Sequence, residues 1–454
     1  MLTSVRRIAA VVAVLMTGAC AASTTFSAEA LAAPAPIAKS AFGMHFLGYG
    51  SRAYPGMSFS SARIWGMGVS WKDLQPTQPT PVLDPPDKMD PTALAKLDSY
   101  VDGFRAHGVD PVIVLGWTPA WAADGCSHVH NGTDYGVQTC APADTSATGP
   151  WATYVKSLAT RYDGHHGHPK VTYFETWNEG NLPFGWTDSI AKLALVQASA
   201  YSVIHGLGQG QRLLSPSFAV TYGYVSTPLS WLSDNQGHGF LQQPGGRKFD
   251  VFNVHLYPTF KYAKAGYGPE WSIRQFAQIK TILSQRGVST PVWDTEVNSG
   301  SVQSGTTFGG GMAGAAQVDR TLVLATENHI ARTFWYAADD RTWGGVWMEN
   351  SDLKSLSYAG LGYRFLARNL TGARPYGCSV KTVGTNKWNY TCKYHLASGR
   401  NMLALWTTGS SFHYHGPSGT RNWYDAAGHT HRASKSTRLT VSHTPIFVSG
   451  TFKI

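Results

Sequence analysis

Two glutamates are set apart by what surrounds them. Glu179 closes Val171-Thr-Tyr-Phe-Glu-Thr-Trp-Asn-Glu179, a β-type run that passes directly into Trp177-Asn178-Glu179. Glu296 closes a second run of that kind, Pro291-Val-Trp-Asp-Thr-Glu296. Two carboxyls at the ends of two strands can share the work of breaking an acetal C–O bond. One protonates the leaving oxygen and the other attacks the anomeric carbon, which requires the carboxyls to stand about 5–5.5 Å apart. The acid must hold its proton near neutrality while the nucleophile stays ionised; burial and nearby charge separate the two. A single glutamate at a strand end is as readily half of a structural ion pair. Two of them in matching contexts favour catalysis.

The elements that must position them are legible. From residue 41 to about 370, short apolar runs alternate with amphipathic segments, the pattern of parallel strands joined by crossover helices. Strand cores are read at 41–46, 61–66, 111–116, 171–177, 212–218, 249–256, 291–296 and 331–336. Helices are read at 92–107, 151–161, 188–206, 270–286, 314–328 and 355–369, the first closed by Gly108 and the fourth by Gly287. Eight such units predict a (β/α)8 barrel with its active face at the C-terminal ends of the strands. Glu179 then ends the fourth strand and Glu296 the seventh. No glycine-rich phosphate fingerprint follows the first strand, which argues against a dinucleotide fold. After residue 370 helical periodicity stops. Runs at 376–382, 388–394, 401–407, 422–425, 437–442 and 445–449 predict a small antiparallel β-sandwich. The expected layout is a signal segment over 1–32, a barrel over 41–370 and a β-sandwich over 371–454. Residues 41 onward either enter the barrel or add a strand to the sandwich.

At the N-terminus, Arg6 and Arg7 precede an apolar stretch, Ile8 to Met16, too short to span a bilayer, and Ala30-Leu31-Ala32 offers a cleavage site. Export is expected, with cleavage favoured over lipid attachment at Cys20 and no membrane span. Export in turn suits two sequence-local disulfides, Cys126–Cys140 pinning a loop and Cys378–Cys392 stapling a hairpin. Formal charge is +10, or about +9 without the signal. No basic run or basic helix is present, so nucleic acid is a poor partner. A diffuse positive field suits an anionic extracellular polymer or mere solubility. The 16 Trp and 21 Tyr suit stacking on sugar rings, although large barrels bury many aromatics in any case.

Most of 41–370 resembles the clan A glycoside hydrolases, and Trp177-Asn178-Glu179 carries the resemblance most specifically. That resemblance implies Glu179 as acid/base, Glu296 as nucleophile and Asn178 on the sugar 2-hydroxyl. It further implies Arg63 supporting the nucleophile, His255 and Tyr257 hydrogen-bonding it, and Trp335 as the floor of the sugar subsite. Within the clan the chain is most similar to family 39, through Leu115-Gly-Trp-Thr-Pro-Ala-Trp121, the early Arg63…Trp71 spacing and the terminal β-module. Gly180 stands where proline usually follows the acid/base in families 39 and 5.

His45, Trp117 and Trp121 weigh evenly between sugar contact and packing, whereas the rim residues Trp186, Tyr222 and Tyr224 can stack on sugars but favour the other reading. Asp339 and Asp340 bind hydroxyls or cap a loop. His165-His166-Gly-His168 has no cysteine or carboxylate at ligand spacing and reads as a solvated loop. No G-x-S-x-G elbow is present. The expectation is a retaining glycosidase that needs no metal or organic cofactor and acts on an extracellular or cell-wall polysaccharide, β-linked and cut internally. A non-catalytic polysaccharide-binding barrel and a transglycosylase are the alternatives.

Overall fold

The computed structural model describes residues 34–48, 52, 54–80, 83–220, 228–258 and 268–454. The signal segment, Cys20, Tyr222 and Tyr224 lie outside the described residues.

Eight short parallel strands form the central sheet: β1 Phe42–Met44, β2 Ser61–Ile64, β3 Asp110–Val114, β4 Tyr173–Glu175, β5 Arg212–Leu214, β6 Phe252–His255, β7 Val292–Val297 and β8 Arg332–Trp335. Pairing runs β5-β4-β3-β2-β1-β8-β7-β6. The ring closes between β5 and β6 through the Leu214–Val251 bridge and a bond from Ser215 N–H to Val251 O of 2.9 Å. Residues 41 onward therefore enter the barrel directly, between β2 and β8. The fifth strand, read as one run over 212–218, breaks at Ser215-Pro216-Ser217 and resumes at Phe218–Ala219, which pairs β6. Pro216 has no N–H to give to a ladder, so the strand cannot run through it.

The major helices are α1 Pro91–Ala106, α2 Pro150–Arg161, α3 Ile190–Gly206, α4 Pro269–Gln285, α5 Met312–Glu327 and α6 Tyr358–Leu370. Local chemistry sets their starts. Pro stands in the first turn of α1, α2 and α4, where a missing N–H costs nothing. Asp90 caps α1 through the amides of Thr92 and Ala93, and Ser189 and Ser357 cap α3 and α6. Inside the barrel, Val112, Leu214, Val251, Trp293 and Phe334 pack as one plug, while the outward strand residues join the larger core beneath the helices.

The C-terminal β-sandwich follows. A six-stranded antiparallel sheet contains β9 Arg374–Gly384, β10 Lys387–His395, β11 Asn401–Thr407, β13 Thr420–Tyr424, β14 Thr430–Arg432 and β16 Ile446–Gly450; β12 Phe412–His415 pairs β15 Arg438–Val441 in the second layer. β12 and β14 were not read from the sequence: β12 alternates over only four residues, Phe412 to His415, and β14 holds no apolar residue. Both expected disulfides form. Cys378 and Cys392 sit opposite each other in the β9–β10 ladder. Among the described residues no helix is long and apolar enough to cross a membrane.

Candidate active site

The barrel mouth gathers charged side chains that no surface would gather. Arg63, inward on β2, is fully buried. Its Nε and Nη2 donate to the two carboxylate oxygens of Glu175 on β4 (2.7 and 2.5 Å), its Nη2 also to Asn178 Oδ1 (2.8 Å), and its Nη1 to Glu296 Oε2 (2.8 Å). One guanidinium thus ties the fourth strand to the seventh, and its fork geometry suits two carboxylates at once.

Glu296 is aimed by an irregularity. The β7–β8 register shifts between Asp294 and Val297. Thr295 bonds inward to Asn253 and His255, and Glu296, the next residue, also points inward, to Arg63 and Tyr257. A regular strand would send neighbours to opposite faces; a bulge lets two in succession face the mouth. Burial and the charge of Glu179 push the Glu296 carboxyl up, while Arg63 and the Tyr257 hydroxyl, which donates to Oε1 at 2.7 Å, draw it back without cancelling the rise.

Glu179 sits in a different setting. Its backbone lies in the left-handed region at φ 48°, rare for a side chain of this size. Ser217, in the break of the fifth strand, holds it there: Ser217 Oγ accepts the Glu179 N–H (2.9 Å) and Ser217 O accepts the Gly180 N–H (3.0 Å). Gly185 closes over this turn so tightly that a Cβ would stand 2.4 Å from Glu179 O and 2.5 Å from Asn178 O. Burial pushes the Glu179 carboxyl up to about 7; Glu175 adds to this and Arg63 opposes it.

A hydrogen-bond chain favours the same protonation. Burial lowers His255 to about 4, so its ring is neutral at pH 7. Thr295 Oγ1 donates to Asn253 Oδ1 (2.8 Å), which leaves its oxygen to accept from His255 Nε2–H (3.2 Å). His255 Nδ1 is then an acceptor, 2.9 Å from Glu179 Oε1, and the carboxylic acid is its donor. An oxygen of Glu179, a ring nitrogen of His255 and an oxygen of Glu296 lie within 4.8 Å of one another.

Solved structures share this architecture. A family 39 β-xylosidase from Caulobacter crescentus matches at TM-score 0.56 and 14% identity, over 92% of this chain and 98% of that one. A family 30 endoxylanase from Clostridium papyrosolvens matches at 0.56 and 13%, over 93% and 98%. A family 44 xyloglucanase from Paenibacillus polymyxa matches at 0.54 and 13%, over 92% and 97%. The chain has the fold of the clan A glycoside hydrolases. No family model matches the sequence, and no curated protein matches it either.

On this fold, two expectations change. Tyr257 meets Glu296 as expected, but His255 bonds Glu179 instead. His255 ends β6, whereas Tyr257 stands beyond it and reaches further across the mouth. Trp335 does not reach the mouth at all: it is fully buried in the outer core, because Phe334 beside it takes the inward position on β8. Tyr336 is the ring on the site side, edge-on to His45 (4.9 Å) and to Trp343 (5.5 Å). His45 is wholly buried and donates from Nε2 to Thr295 O at 2.9 Å. Trp117 is half-buried, edge-on to Trp65 at 4.8 Å with Lys72 over its ring. Trp186 packs on Trp177 with 2% exposure, and Trp121 is held by Gln75 O; both serve packing. Asp339 accepts the amides of Leu47 and Gly48, and Asp340 caps residues 342–344; both order loops. His166 and His168 pair with Asp163 and Asp102 as loop residues do.

Two site residues escaped the sequence reading. Glu175 shares the Arg63 guanidinium; a charge inside an otherwise apolar strand run, four residues before Glu179, was the available signal. Trp343 meets Tyr257 and Tyr336 edge-on (5.3 and 5.5 Å) from the loop after β8, where nothing in the sequence distinguishes it.

Proposed function

We propose that the chain is a secreted, retaining glycoside hydrolase acting by double displacement on a β-linked extracellular or cell-wall polysaccharide, which it cuts internally. The carrying observation is the approach of Glu179 and Glu296 oxygens to within 4.8 Å, with one carboxyl bonded to His255 and the other held by Arg63 and Tyr257. That gap is too narrow for a water beside the sugar and suits direct attack.

Glu179 gives its proton to the leaving glycosidic oxygen as Glu296 Oε attacks the anomeric carbon, forming a glycosyl ester and releasing the aglycone alcohol. Glu179, now ionised, takes a proton from water; the resulting hydroxide attacks the same carbon and frees Glu296. In this reading Asn178, its Oδ1 already bonded to Arg63, holds the sugar 2-hydroxyl through its amide N–H, and Tyr336 and Trp343 supply aromatic edges and faces for the ring. The xylanase, xylosidase and xyloglucanase names of the matched structures make β-linked plant-type glycans the first substrates to try. Two disulfides and the N-terminal segment support export.

Glu296→Ala is expected to lose nearly all turnover on a soluble activated glycoside, and azide is expected to restore part of it with inverted stereochemistry at the anomeric carbon. Unaltered turnover in that variant would sink the reading. Digestion of a glycan panel with product sizing by mass spectrometry tests the internal cut.

A further inference from the structure

The positive charge of this chain is not diffuse. Residues 34–370 hold 25 Lys and Arg against 25 Asp and Glu, so the barrel is neutral. Residues 371–454 hold 10 Lys and Arg against a single acid, Asp425, so the β-sandwich carries +9. That acid is already engaged, accepting from the amides of Ala427 and His429 and facing the His429 ring at 3.0 Å. Among the described residues, none of the ten cations pairs with a carboxylate. Eight of the ten are exposed.

Strand alternation places them. On β12 and β15, Phe412, Tyr414, Leu439 and Val441 face the sandwich core. His413 and His415 then face out, with Arg438 directly opposite His415. On the neighbouring ribbon, Arg432 lies opposite Asn422, and Arg421 O accepts the Ala433 N–H at 3.0 Å. Arg421 and Arg432, at neighbouring ladder positions, project to opposite faces of this ribbon, and with Lys435 and Arg438 they ring one edge of the sandwich from β13 through the β14–β15 turn, all exposed. Unpaired like charges repel and destabilise a small sandwich, and solubility needs no such one-signed field.

We infer that this edge of the β-sandwich is a docking surface for an anionic glycan, a polysaccharide bearing spaced carboxylates. The cations stand apart on separate strands, which fits a polymer of spaced charge better than a duplex carrying one charge per ~1.7 Å. The choice of a glycan over other polyanions rests on the glycosidase reading of the barrel; the existence of a polyanion surface does not. Docking there would hold the neutral barrel at high effective concentration beside the chains it cuts.

The test uses the full chain with Glu296→Gln, to prevent digestion, and measures binding to polygalacturonate across a salt series. Neutral xylan of equal length, single-stranded DNA of equal charge and phosphatidylglycerol vesicles run alongside. Polygalacturonate is expected to bind best, with affinity falling linearly in log salt. Arg421→Gln, Arg432→Gln, Lys435→Gln and Arg438→Gln together are expected to weaken it by roughly tenfold or more at low salt. The same four changes in the active enzyme are expected to leave the melting temperature and the turnover of a small soluble glycoside unchanged. Equal binding of xylan, preference for DNA or vesicles at the same salt, or undiminished binding by the folded fourfold variant would overturn the inference. Binding that persists in a chain found to hydrolyse no glycan would overturn the glycosidase reading alone.

Discussion

At the scale of single residues, the site divides two like groups by their partners. Glu296 faces one cation and one hydroxyl donor; Glu179 faces a neutral imidazole acceptor. Because the acid must be protonated to act, kcat/KM is expected to fall as pH rises through about 7, the value to which burial pushes Glu179. A pH–rate profile of the free enzyme checks it; a flat profile from pH 6 to 9 would contradict it. The same shift has a stability consequence. A carboxyl raised on folding binds its proton more tightly in the native state, so the native state loses stability as pH climbs from about 4.5 to about 7. Glu179→Gln removes that loss. Its melting temperature is expected to exceed the parent's increasingly across this window, while its turnover collapses.

At the scale of elements, irregularities do the aiming. The break at Ser215-Pro216-Ser217 frees Ser217 to hold the turn beneath Glu179, and the bulge in β7 turns both Thr295 and Glu296 inward. Thr295 joins β7 to β6 through Asn253 and His255 and, through its carbonyl, to His45 on the first strand. Thr295→Val keeps the shape but strands two buried polar partners, a cost of about 1–3 kcal/mol each at most. Chemical denaturation is expected to show that loss. The alkaline limb of the rate profile is expected to move down, since His255 would no longer be fixed as an acceptor. An unmoved limb would mean the chain of bonds does not govern Glu179.

At the scale of the whole molecule, barrel and sandwich share one core. Residues Trp388, Tyr390, Tyr394, Met402, Trp406 and Phe447 belong to the same apolar cluster as the barrel helices. Polar ties cross the junction: Trp406 Nε1 donates to Glu270 Oε1 (2.7 Å), and Glu327 accepts the Gly377 N–H (2.7 Å). Arg274 lies over the Trp388 ring, 3.8 Å from its centroid. Trp406→Ala removes a fully buried indole stacked on Tyr390 and is expected to cost about 3–5 kcal/mol. Unfolding of that variant, followed separately by far-UV circular dichroism and tryptophan fluorescence, is expected to remain one transition. Two separated transitions would show that the sandwich and barrel fold independently.

Much of this was legible in the chain alone. Short apolar runs alternating with 3.6-residue periodicity predict eight parallel strand–helix units. The Asn178-Glu179 pair and Glu296 were marked by their place at strand ends, and the cysteines by their local spacing. Three-dimensional structure alone decided which neighbours meet. Whether His255 touches Glu179 or Glu296, whether Trp335 or Tyr336 faces the mouth, and that Glu175 shares Arg63 all depend on register and bulges. A shift of one residue reverses the face of a strand, and a sequence read strand by strand does not contain the pairing that sets it.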